Sequence, residues 1–78
     1  MRDEIKMLEN MITNLSEAEL EKCFEEILEW RKTGVLSEDS LVRRLWNQFK
    51  EESGNKAFPI YLMSEPIFYE IAYRHYKV

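Results

Sequence analysis

A chain of 78 residues, 45% hydrophobic and 33% charged, is one small domain near the lower size at which a single core suffices. Two glycines and two prolines supply little material for long loops or hairpin turns, which favours helices over disorder or a β-rich fold. The net charge of −4 argues against nonspecific binding to nucleic acid.

The first predicted element is a helix over Arg2–Asn14. Ile5, Leu8, Met11 and Ile12 recur at spacings of three and four, and Asp3 and Glu4 suit the positive end of the helix dipole. Met1 and Met7 flank that face as adaptable packing groups.

The second helix, Ser16–Thr33, carries the strongest local signals. Ser16 and Glu19 fit a capping box, with Leu15 and Leu20 spaced as a hydrophobic staple. Gly34 is placed to end the helix in the left-handed conformation, with Trp30 and Val35 as the apolar pair of a Schellman motif. Leu20, Cys23, Phe24, Ile27, Leu28 and Trp30 form a broad predicted core face.

The same grammar recurs in L-S-E-D-S-L at Leu36–Leu41 and in M-S-E-P-I-F at Met63–Phe68. It predicts Ser37 as the cap of a third helix over Glu38–Glu52, with Leu41, Val42, Leu45, Trp46 and Phe49 inward and Gly54 as the stop. Ser64 is expected to cap a fourth helix over Glu65–Lys77, with Pro66 tolerated in its first turn. Phe68, Ile71, Ala72 and His75 share one face of it with Ile67 at its flank, Tyr69, Tyr73 and Tyr76 form a second stripe, and Glu70, Arg74 and Lys77 are its polar residues.

Ala57–Met63 is rich in β-formers but has no evident partner strand, and it reads as an extended apolar connection crossing the core. A short strand paired across a dimer is the alternative. The expected fold is therefore all-α: a compact four-helix bundle with a short extended apolar connection before the last helix, over the single domain 1–78.

Little points to catalysis, and the expectation is a non-enzyme without cofactor or metal. Cys23 and His75 are the single cysteine and histidine, and no His, Cys or carboxylate cluster has metal-ligand spacing. Cys23 lies on an apolar face beside acidic residues, a setting that keeps a thiol protonated. A lone cysteine also suits a reducing compartment. The opening M-R-D-E-I-K lacks a signal-peptide core, and no apolar run approaches the ~20 residues needed to span a bilayer. A cytoplasmic protein with no membrane partner is expected.

Charge is unevenly distributed. Met1–Trp30 holds nine acids against three bases, and Arg31–Val78 eight bases against six acids. Glu21, Glu25 and Glu29 stack one turn apart with Glu26 nearby, although like charges at this spacing cost a few tenths of a kcal/mol per pair. Such a ridge either docks a basic partner, imitates nucleic acid to one, or is an ordinary solvated face. The stripe Tyr69, Tyr73 and Tyr76 suits an interface, with another protein or with a second copy of this chain, because tyrosine joins apolar area to a polar tip. Core packing against the first helix is the bland reading of that stripe.

The sequence also admits a helix-turn-helix. T-G-V-L-S-E-D-S-L-V-R-R-L would then direct Arg43, Asn47 and Lys50 to the major groove and Arg44 to a phosphate. Trp30 replaces the small residue such turns place four before the glycine, and the turn is too long. The favoured expectation is a small non-enzymatic regulator, adaptor or inhibitor acting by protein–protein interaction, of a kind common among accessory proteins of mobile elements and phages. A DNA-binding transcriptional regulator is the alternative.

Overall fold

The computed structural model describes residues 2–76. Met1, Lys77 and Val78 lie outside that range, and with them the expected roles of Met1 and Lys77. Four helices follow in order: α1 (Arg2–Thr13), α2 (Glu17–Thr33), α3 (Leu41–Ser53) and α4 (Ser64–Tyr76), with a 3₁₀ turn at Ile60–Met63 leading into α4. No strand is present among the described residues. The chain is an all-α four-helix bundle.

Helices α1 and α2 each pack against both α3 and α4, and the 3₁₀ turn packs against α3 and α4. The result is two layers of helices. The body measures 30 × 30 × 17 Å. Ile12, Leu20, Cys23, Ile27, Val42, Phe49, Met63 and Ile67 are fully buried between the layers. Each of the larger aliphatic or aromatic side chains contributes about 1.5–3 kcal/mol by leaving water.

On α1, Leu8 and Ile12 are buried and Met7 and Met11 pack on the core, whereas Ile5 is exposed, outside the face predicted for it. On α2 the capping box is present in full: the Glu19 N–H donates to Ser16 Oγ at 3.1 Å, and the Ser16 N–H donates to Glu19 Oε1 at 2.8 Å. Gly34 adopts φ +79° and its N–H donates to Trp30 O at 2.7 Å. The Val35 N–H turns instead to Thr33 Oγ1 at 3.2 Å, and Val35 is 68% exposed. The stop is thus a single-bond left-handed cap rather than the Schellman closure expected from Trp30 and Val35. Leu28 also departs from the predicted core face and is exposed.

α3 starts three residues later than predicted, and its cap is Ser40 rather than Ser37. Ser37 closes a local turn, accepting the Ser40 N–H on its carbonyl and the Asp39 N–H on its hydroxyl, each at 3.1 Å. Ser40 Oγ accepts the Arg43 N–H at 3.2 Å. The next two orphan donors are met from α2: Glu26 accepts the Leu41 N–H on Oε2 and the Val42 N–H on Oε1, both at 2.9 Å. A carboxylate facing a helix N-terminus answers both the unpaired N–H groups and the dipole.

The stretch after Gly54 is not the extended connection expected: it begins with a turn in which the Phe58 N–H donates to Asn55 O at 3.3 Å and the Ala57 N–H to Asn55 Oδ1 at 3.2 Å. Trp46 Nε1 donates to Phe58 O at 2.8 Å, and Phe58 stacks edge-on against Phe49 with ring centroids 4.8 Å apart. After the extended Pro59 the chain coils into the 3₁₀ turn, burying Met63 and leaving Tyr61 and Leu62 exposed. Ser64 is itself helical (φ −65°, ψ −41°), so it continues that turn into α4 instead of capping a fresh helix.

The buried face of α4 is Pro66, Ile67 and Glu70, next to Met63 of the 3₁₀ turn; of the residues predicted to face inward, Phe68 and Ile71 pack on the core only from its border. Phe68 lies at its edge against Phe24, ring centroids 5.6 Å apart, while His75 is exposed.

Candidate functional site

The least expected feature of the interior is polar. Glu70 is only 9% exposed. Its Oε2 accepts from Arg74 Nε at 2.8 Å, and Thr13 Oγ1 donates to its Oε1 at 3.4 Å. Arg74 Nη2 continues to the carbonyls of Thr13 at 3.1 Å and Leu15 at 2.7 Å, and Nη1 lies 3.7 Å from Glu17. The last turn of α1 has no basic residue of its own, and Arg74 supplies the missing cation from α4. The sequence marks Glu70 and Arg74 only as polar residues of this helix; their i, i+4 spacing, acid first, is the local signal for the pair. Burial of a charged pair has no local signature.

This arrangement turns the tyrosine stripe outward. With the Glu70–Arg74 side of α4 inward, Tyr69, Tyr73 and Tyr76 are 58, 51 and 78% exposed. The bland reading, that they pack as core, is excluded by these exposures. Tyr69 borders a cleft of about 350 Å³ between α1 and α4, lined also by Glu9, Thr13, Glu65, Pro66 and Glu70.

Glu21, Glu25 and Glu29 are all exposed along the outer face of α2. Glu26 leaves that group, because its carboxylate caps α3 and lies 3.8 Å from Lys22. Glu29 also edges a second cleft, of about 430 Å³, between α2 and the Val35–Ser40 connection. The ridge and the tyrosine stripe lie on different helices, each facing solvent.

The four residues of the helix-turn-helix reading are not assembled into one open surface. Arg43 is half-buried, donating from Nη2 to Leu36 O at 3.1 Å and from Nε to Ser37 O at 3.4 Å. Lys50 Nζ sits 3.4 Å from the centre of the Trp46 ring, a close cation–π contact. Arg44 and Asn47 remain exposed. The connection from Gly34 to Ser40 is longer than the roughly three- to four-residue turn of that motif. The amino end of α3, which would meet DNA, already faces the Glu26 carboxylate.

Cys23 is fully buried. Burial, followed by the nearby Glu26 and Glu19 carboxylates, pushes its pKa up to about 12, so it is a packed thiol at neutral pH. His75 Nε2 lies 3.7 Å from Glu17 at the surface. Among the described residues no group of three or more His, Cys, Asp or Glu is placed to hold a metal ion, and no helix is long and apolar enough to cross a membrane.

Fold and surface together define a small helical bundle with an acidic ridge and a separate tyrosine stripe, both open to solvent. No family model, curated protein or solved structure matches the chain.

Proposed function

We propose that the chain is a small non-enzymatic regulator, adaptor or inhibitor that acts by binding another protein. The observation that carries this reading is the outward tyrosine stripe on a helix whose buried face is already complete. Three half- to three-quarter-exposed tyrosines on an ordered helix offer apolar area and hydroxyl tips at low entropic cost. The ridge of Glu21, Glu25 and Glu29 adds a negative field that favours a basic partner and speeds encounter with it. A nucleic-acid reading draws no support from α3, whose Arg43 and Lys50 are held by the chain's own carbonyls and Trp46 ring.

The test is affinity capture from source cells, read by mass spectrometry and compared across three baits. One partner retained by the unaltered chain, and lost with Tyr69→Ser/Tyr73→Ser or Glu25→Lys/Glu29→Lys, supports the reading. Identical recoveries with all three baits refute it.

A further inference from the structure

We infer that the α1–α4 cleft is the seat of an arginine-bearing segment of the partner; this rests on the protein-binding reading above and specifies one of its surfaces. The cleft places Tyr69 and Pro66 beside three carboxylates, Glu9, Glu65 and Glu70. These carboxylates are not equivalent. Glu70 is satisfied from within by Arg74 and Thr13. Glu9 and Glu65 are exposed and form no ion pair among the described residues, and no lysine or arginine lines the cleft.

Among the described residues the cleft therefore presents negative charge with no ion-pair partner next to aromatic surface. A second copy of the chain docked symmetrically here would set Glu9 and Glu65 against the same carboxylates, which is repulsive. A basic segment is complementary. Among basic side chains, a guanidinium meets both features, pairing with a carboxylate through two parallel N–H donors while stacking on a tyrosine ring. An ammonium offers a point charge and stacks less well. Tyr73 and Tyr76 continue the aromatic surface beyond Tyr69, so the segment has a track rather than a single socket.

The experiment titrates the isotope-labelled full chain with an octa-arginine peptide and, separately, an octa-lysine peptide at near-physiological salt, following tyrosine-ring and backbone NMR signals. The expected result is movement centred on Glu9, Glu65, Tyr69 and Tyr73, with octa-arginine binding about three-fold or more tighter than octa-lysine. Glu9→Lys/Glu65→Lys weakens binding by roughly ten-fold or more, whereas Glu25→Lys/Glu29→Lys, with the same change in net charge, alters it by less than about three-fold. All four positions are exposed, and far-UV circular dichroism verifies that both variants fold; Tyr69→Ser provides a further loss without changing charge.

Equal losses in the two charge variants would reduce the effect to net charge and overturn the inference. A larger loss in Glu25→Lys/Glu29→Lys moves the seat to the α2 ridge, overturning the inference while leaving the protein-binding reading intact. Equal affinity for the two peptides overturns the choice of arginine. Concentration-dependent movement of the same tyrosine signals without peptide assigns the cleft to a second copy and likewise overturns it.

Discussion

Glu26 on α2 caps α3: one carboxylate oxygen accepts the Leu41 N–H at 2.9 Å, and the other accepts the next N–H along the helix. This contact converts a member of an acidic surface run into a strut between two helices. It also explains why α3 begins at Leu41, where two donors find a charged acceptor, rather than directly after Ser37.

Replacing Glu26 by alanine is expected to destabilise the fold by about 1–3 kcal/mol, because two helix-terminal N–H groups in a partly buried place lose their acceptor. Glu26→Gln, which keeps one carbonyl, should cost less. Urea denaturation measures the loss, and hydrogen exchange should quicken first at Leu41 and Val42. Unchanged exchange there would mean that water replaces the carboxylate without penalty.

The Glu70–Arg74 pair predicts a steeper effect. Arg74→Ala strands a buried carboxylate and frees the carbonyls of Thr13 and Leu15, a loss of about 3 kcal/mol. Adding Glu70→Leu to that variant should recover part of the loss, since an apolar side chain carries no charge to strand. Thermal melts of the single and double variants test this. A double variant no better than the single would place the energy in the Arg74–carbonyl bonds alone.

Cys23 should resist iodoacetamide at neutral pH in the folded chain and react once unfolded, because its buried thiol is fully inaccessible and its pKa is pushed to about 12. The sign of the pH dependence follows. Above its ordinary value of 9.0 the unfolded thiol ionises while the folded one keeps its proton, so the unfolded state binds fewer protons and stability falls with rising pH. The thiol's contribution is complete below pH 9.0 and declines up to about pH 12. Cys23→Ala should flatten this part of the stability profile relative to the unaltered chain.

Gly34→Ala isolates a backbone effect. A Cβ at Gly34 meets nothing within 4 Å, so the φ of +79° is the sole obstacle. A cost of about 1 kcal/mol is expected, with Gly34→Asn costing less because asparagine tolerates the left-handed region better. Denaturation midpoints of the two variants provide the comparison.

The helices of this protein were legible because their signals are local. Ser16 with Glu19, the glycine stops at 34 and 54, and the three- and four-residue apolar spacing each involve neighbours within about one or two helical turns. Where local signals were duplicated, they misled. L-S-E-D-S-L contains two serines able to cap, and the choice of Ser40 came with a carboxylate from another helix. Ser64 had the right neighbours for a cap, but the 3₁₀ turn before it already supplied a helical entry.

The orientation of α4 was likewise beyond the sequence. Its aromatic residues cover so much of the circumference that hydrophobicity alone does not select an inward face. The selection rests on Arg74 reaching carbonyls 59 and 61 positions away and on Glu70 meeting Thr13 across 57. By itself, the sequence determined that this chain makes helices, and close to where each starts and stops, because those outcomes depend on bonds within a few residues. Tertiary structure alone decided that a carboxylate is buried under a partly buried guanidinium while three tyrosines face water. Desolvating that pair is tolerable only where distant backbone and side-chain groups complete its hydrogen bonds.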